Sequence, residues 1–69
     1  MKISARNVLS GTVKEVREGA VTAHVVIDIG GERTITAAIT KEAVPELGLA
    51  PGKPAHAVIK SSDVLVAVD

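Results

Sequence analysis

Between residues 21 and 39 apolar and polar side chains alternate over two runs separated by a glycine pair, which dictates a β-hairpin. Val21, Ala23, Val25, Ile27 and Ile29 are apolar at every second position. Thr22, His24 and Asp28 take the alternate ones, and Val26 breaks the pattern. Successive strand side chains point to opposite faces, so the alternation predicts a strand buried on one side. Gly30-Gly31 suits a tight hairpin loop. Ile35, Ala37 and Ile39 resume the pattern on the return, with Thr34, Thr36 and Thr40 opposite.

The rest of the chain reads in the same way. Turn residues at Glu18-Gly19, Gly30-Gly31 and Pro51-Gly52 divide it evenly. Val8 to Arg17 predicts a strand, with Gly11 as a bulge or bend. Pro54 to Lys60 and Val64 to Val68 predict two more. Lys41 to Leu47 is the one helical candidate, with Thr40 as its N-cap and Gly48 as its stop. Pro45 within its first turns limits it to a short, irregular piece. Five short strands with one brief helix after the third predict an all-β fold, a small five-stranded barrel of the OB type. Closure removes exposed edges, which matters for a chain so rich in Val and Ile. No repeat or linker interrupts residues 1–69, which read as a single domain.

That domain is small. At 69 residues it buries only about 60% of the surface its unfolded chain exposes. A core of that size rarely supplies more than ~3–5 kcal/mol. The sequence has no cysteine for a disulfide and only two histidines, too few for a closed zinc site. Association with further copies is the remaining common device. No apolar stretch approaches the roughly 20 residues of a membrane helix. Met1-Lys2-Ile3-Ser4 lacks the apolar run of an export signal, so cytoplasm is the expected compartment.

Composition also narrows function. Eight basic and eight acidic residues cancel, and no Phe, Trp or Tyr occurs. Single-strand nucleic-acid binding on an OB-like barrel relies on stacking aromatics and a basic groove, and both are missing. His24 and His56 alternate with apolar neighbours and read as exposed strand histidines. No Gly-rich phosphate loop or clustered carboxylates appear, and an enzyme is not expected. An interaction module that docks a partner on its β surface remains an alternative.

Two polar clusters stand out, Ser4-Ala5-Arg6-Asn7 near the start and Lys60-Ser61-Ser62-Asp63 near the end. Taken singly, each reads as a polar terminus or turn. Together they match what a tetrahedral oxyanion requires. Such an anion offers only acceptors, and Arg, Lys, Ser and close backbone N–H groups are donors. One Arg and one Lys with several neutral donors suffice, and no broad basic surface is needed.

Ile3-Ser4-Ala5-Arg6-Asn7, Ile35-Thr36 with Ile39-Thr40, and Val58-Ile59-Lys60-Ser61-Ser62-Asp63-Val64 resemble the molbindins over essentially the whole chain. The resemblance implies an OB-like barrel, a dimer with exchanged strands, and a homohexamer built as a trimer of dimers. It implies molybdate or tungstate held as the intact oxyanion at subunit interfaces, for intracellular storage and homeostasis, with no turnover and no further cofactor. By that pattern Ser4, Ala5 and Arg6 come from one subunit. Lys60 and Ser61 come from a neighbour, with Thr40 and the backbone near Ala43. The family often carries serine where Ala43 stands, which leaves this contact to the main-chain N–H. No nucleic acid or membrane is implied as a partner.

Overall fold

A computed structural model describes all residues 1–69. Four strands run in the order β1 (Asn7–Glu18), β2 (Thr22–Gly30), β3 (Arg33–Thr40) and β4 (Pro54–Ile59). A single-turn helix, α1 (Ala43–Glu46), separates β3 from β4, and a 3-10 turn, Ser61–Asp63, follows. The strands form one antiparallel sheet in the order β3-β2-β1-β4.

The long strand β1 gives the sheet its curl. Its first half, Asn7 to Thr12, pairs with β4, and its second half, Thr12 to Glu18, pairs with β2. One strand serving two partners in succession has to bend between them. A bulge at Lys14, where the register skips from Val13 to Glu15, provides the bend. It also resets the alternation, so that Val13 and Val16 both turn inward. The chain before β4 is tied to this point, since the Val13 N–H donates to the Lys53 carbonyl and the Gly52 N–H to the Val13 carbonyl, both at 2.8 Å.

The concave face carries the core. Val13, Val25, Ile27 and Ala57 are buried, with Val16, Ile29, Ile35, Ile39, Leu49 and Ala55 packed around them. Val44 of α1 is also buried. The alternation predicted for β2 is present, with Ala23, Val25 and Ile27 inside and His24 and Asp28 outside. Val21 lies before the strand and is exposed.

Several local expectations shift. The expected bulge at Gly11 is at Lys14; Gly11 instead marks a close approach of β1 to β2. A β-carbon there would overlap the Asp28 carbonyl oxygen and stand 2.9 Å from Ile27 Cγ2. The hairpin loop is one residue later than Gly30-Gly31. Gly30 pairs with Arg33, which leaves Gly31 and Glu32 as the two loop residues, at φ +60° and +62°. Two positive φ angles in succession are those of a type I′ turn, whose twist suits a hairpin. The Asp28 carboxylate braces it by accepting from the Gly30 N–H at 2.8 Å. The helix is shorter than Lys41 to Leu47, and Glu42 takes the N-cap position expected of Thr40, which remains the last residue of β3. Pro45 lacks the N–H that a longer helix needs, and Gly48 at φ +64° turns the chain away.

The main correction concerns the fifth strand and closure. Val64 to Val68 forms no strand, and the sheet is an open half-barrel. Leu65, Val66 and Val68 are each 90% exposed or more. The five residues Val64 to Val68 are a continuous, valine-rich apolar run, the composition of a strand, but a strand needs a neighbour for its N–H and C=O groups, and this chain offers the tail none.

Candidate functional site

The pairing of β1 with β4 builds the site. In its first register position Asn7 faces Ile59. The residues just beyond, Arg6 on one side and Lys60 on the other, are therefore neighbours. They line one open pocket of about 410 Å³ together with Ile3, Ser4, Ala5, Val58, Ser61 and Ser62. The two polar clusters, some fifty residues apart in sequence, thus meet within one chain. This differs from the expectation that they would belong to separate subunits: antiparallel pairing alone joins the start of β1 to the end of β4.

The pocket is suited to an anion. Two cations and three serines line it, and no carboxylate does. The chain's ion pair is Arg17 with Glu15 at 2.8 Å, well away from the pocket, so Arg6 and Lys60 are both uncommitted and exposed. Ile3, Ala5 and Val58 supply an apolar wall. Backbone order is supplied from both ends. The Asn7 side-chain amide donates to the Ile59 carbonyl at 3.3 Å. Beyond Lys60 the chain closes a 3-10 turn, with the Asp63 N–H donating to the Lys60 carbonyl at 2.9 Å.

Thr40 and Ala43 are placed elsewhere. Thr40 faces Thr22 at the far end of the β2–β3 ladder, and Ala43 opens α1 just beyond. That end of the sheet adjoins the close of β1, whereas Arg6 precedes its start. The whole twelve-residue length of β1 lies between them. One chain therefore does not gather Thr40 and Ala43 with Arg6 and Lys60. Ile3, Val58 and Ser62 also line the pocket; they lie within the sequence segments singled out above but were not among the expected ligands. The apolar pair carries no chemical signal of its own and follows only from the strand pairing.

Two further features are outside this pocket. His24 and His56 are exposed, as expected, and His56 Nδ1 lies 3.0 Å from Ser10 Oγ. An apolar cleft of about 320 Å³ opens on the concave face between β3 and β4, lined by Val25, Ile27, Ile39, Leu49 and Ala55 among others.

Comparison with known proteins places this geometry. The TOBE domain profile matches residues 3–66. The chain belongs to the TOBE domain family. Within it, this TOBE domain is 48% identical over 69 residues to a probable molybdenum-pterin-binding protein of Haemophilus influenzae, covering all of both chains. It is 47% identical over 66 residues to molybdenum-pterin-binding protein 1 of Clostridium pasteurianum, covering 96% of this chain and 97% of the relative. The Mop-type resemblance is thereby established. Among solved structures, MopII from Clostridium pasteurianum superposes with a TM-score of 0.91 at 45% identity, covering 97% of this chain and all of that one. The cytoplasmic molybdate-binding protein ModG, with molybdate bound, gives 0.90 at 54% identity over 94% of this chain and 46% of that one. The all-β, OB-like class is that of these neighbours, with this TOBE domain presenting its open four-stranded part.

Proposed function

We propose that this TOBE domain binds molybdate, and tungstate by the same chemistry, as an intact tetrahedral oxyanion for intracellular molybdenum storage and homeostasis, without chemical turnover. The carrying observation is the carboxylate-free pocket in which Arg6 and Lys60 meet beside Ser4, Ser61 and Ser62. Relatives described as molybdenum-pterin-binding and molybdate-binding proteins support the choice of anion. The description of ModG as cytoplasmic supports the compartment.

Magnitudes favour a site completed by a second copy. Unit charges 4 Å apart gain about 1 kcal/mol in bulk water and about 4 kcal/mol at an effective dielectric of 20. A dianion doubles either figure. In the open pocket the lower value applies, and covering the pocket moves it toward the higher one. The volume agrees: four oxygens at the ~30 Å³ that a water occupies amount to roughly 120 Å³, far less than the 410 Å³ present. In this reading a neighbouring copy fills the remainder with Thr40 and the backbone N–H near Ala43, the donors that one chain keeps at its other end. The copies exchange their tails, each Val64–Val68 segment lying in a neighbour's cleft between β3 and β4, and dimers assemble into a hexamer.

Calorimetric titration with molybdate, tungstate, sulfate and phosphate tests the reading. Tight binding of the two metal oxyanions with weak binding of the smaller ones is expected, because cavity size discriminates them from sulfate at equal charge, and phosphate carries protons for which the pocket has no carboxylate acceptor. Equal binding of all four, or none, would overturn it. Native mass spectrometry of the same samples is expected to show six chains, and a monomer at micromolar concentration would remove the shared site.

A further inference from the structure

The Asn7 side chain has a task that the oxyanion reading leaves unassigned. Its amide donates to the Ile59 carbonyl across the β1–β4 ladder. It is the only hydrogen bond in the chain from a side chain on one strand to the main chain of another; the remaining side-chain bonds are the exposed Ser10–His56 pair and the local Asp28–Gly30 brace. The bond lies at the first, outermost register position of that pairing. Strand ends fray, because their outermost backbone groups have neighbours on one side only. Here the fraying end is the part that sets the pocket. Arg6 directly precedes Asn7 and Lys60 directly follows Ile59, so a bond between those two residues fixes the separation of the two cations.

Asn7 does this without lining the pocket itself. It is half-buried, and the pocket wall is formed by its neighbours Ala5 and Arg6 and by Val58 and Lys60 across the ladder. Its amide is neutral, so it fixes the two cations without adding a charge to compete for the anion. We propose that Asn7 is a positioning residue that holds Arg6 and Lys60 at a fixed spacing before the anion arrives. This rests on the oxyanion reading of the pocket for its ligand, but the ordering it describes exists in the free protein.

The test uses the full chain with Asn7→Leu, which keeps the bulk and removes the donor, and Asn7→Gln, which keeps an amide. Val13→Ala serves as a reference that thins the core at a residue lining neither the pocket nor the apolar cleft. Two quantities are measured on each: backbone amide hydrogen exchange without ligand, and molybdate affinity by calorimetry. Asn7→Leu is expected to speed exchange at Arg6, Val8, Lys60 and Ser61 selectively and to weaken molybdate about three- to tenfold, the size of one net hydrogen bond. Asn7→Gln is expected to recover part of both. Val13→Ala is expected to lower the melting temperature and leave affinity unchanged. Unchanged exchange with Asn7→Leu overturns the proposal. So does faster exchange with unchanged affinity, or an affinity loss matched by Val13→Ala at equal loss of melting temperature. If the unaltered chain binds no molybdate, the reading of the ligand falls, while selective exchange at these four residues still upholds the positioning role.

Discussion

Arg6 and Lys60 extend the same antiparallel pairing from opposite strands, and neither has a carboxylate partner in the chain. Both are therefore free to serve a ligand, and neither contributes much to folding. Arg6→Ala and Lys60→Ala are each expected to weaken molybdate at least tenfold, while stability without ligand stays within about 0.5 kcal/mol of the parent, as for most exposed substitutions. Ligand-dependent stabilisation should fall with affinity; a parent saturated 100-fold above its dissociation constant gains about 2.7 kcal/mol per site. Thermal melts with and without molybdate read both quantities. Retention of the full ligand-induced shift by either variant would exclude that residue from the site.

Gly11 is expected to tolerate no side chain. Its absent β-carbon is what allows β1 and β2 to approach at Asp28. Gly11→Ala forces main chain apart in the centre of the sheet, where overpacking typically costs about 1–3 kcal/mol. Against a reserve of ~3–5 kcal/mol for a core of this size, that is a large share. Urea denaturation should show the loss, and a midpoint equal to the parent's would mean that the two strands can separate freely there.

Glu32 offers the opposite change. It holds φ +62° in the second loop position of the hairpin, a conformation that glycine adopts without steric strain. Glu32→Gly is expected to stabilise by about 0.5–1 kcal/mol, the relief of strain exceeding the added freedom of the unfolded chain. The loop does not line the pocket of Arg6 and Lys60, so molybdate affinity should not move. A loss of stability in urea would show that the Glu32 side chain contributes more than its backbone strain removes.

Truncation after Asp63 removes the exposed apolar tail and leaves all four strands intact. The shortened chain is expected to sediment as a smaller species and to bind molybdate more weakly, because the covering copy is lost. An unchanged assembly with unchanged affinity would show that the tail closes no neighbour's barrel.

Much of this fold was legible in sequence where the signal is local. The β2–β3 hairpin follows from alternation at Ala23, Val25 and Ile27 and its return at Ile35, Ala37 and Ile39. Local signals ended at the bulge. Lys14 stands with Glu15 between Val13 and Val16, and no glycine or other turn residue there announces a skipped register position, whereas Gly11 drew attention for a reason that proved to be close packing. The tail shows a different limit. The apolar run from Val64 to Val68 has the composition of a strand, but a sequence cannot say which molecule supplies the neighbouring strand. The site was half legible. Donor chemistry selected Arg6 and Lys60, but their meeting within one chain depends on a pairing between residues 52 positions apart, which no short motif encodes.

The open edge between β3 and β4 has a consequence in time. If a neighbour's tail forms the final seam, that step is an encounter between two molecules, and its rate rises with the amount of protein present. Dilute chains would then stay unsealed for longer and lose their anion sooner than concentrated ones. Synthesis of more chain would raise the grip of every copy already made, so the pool's capacity would grow faster than the number of its members.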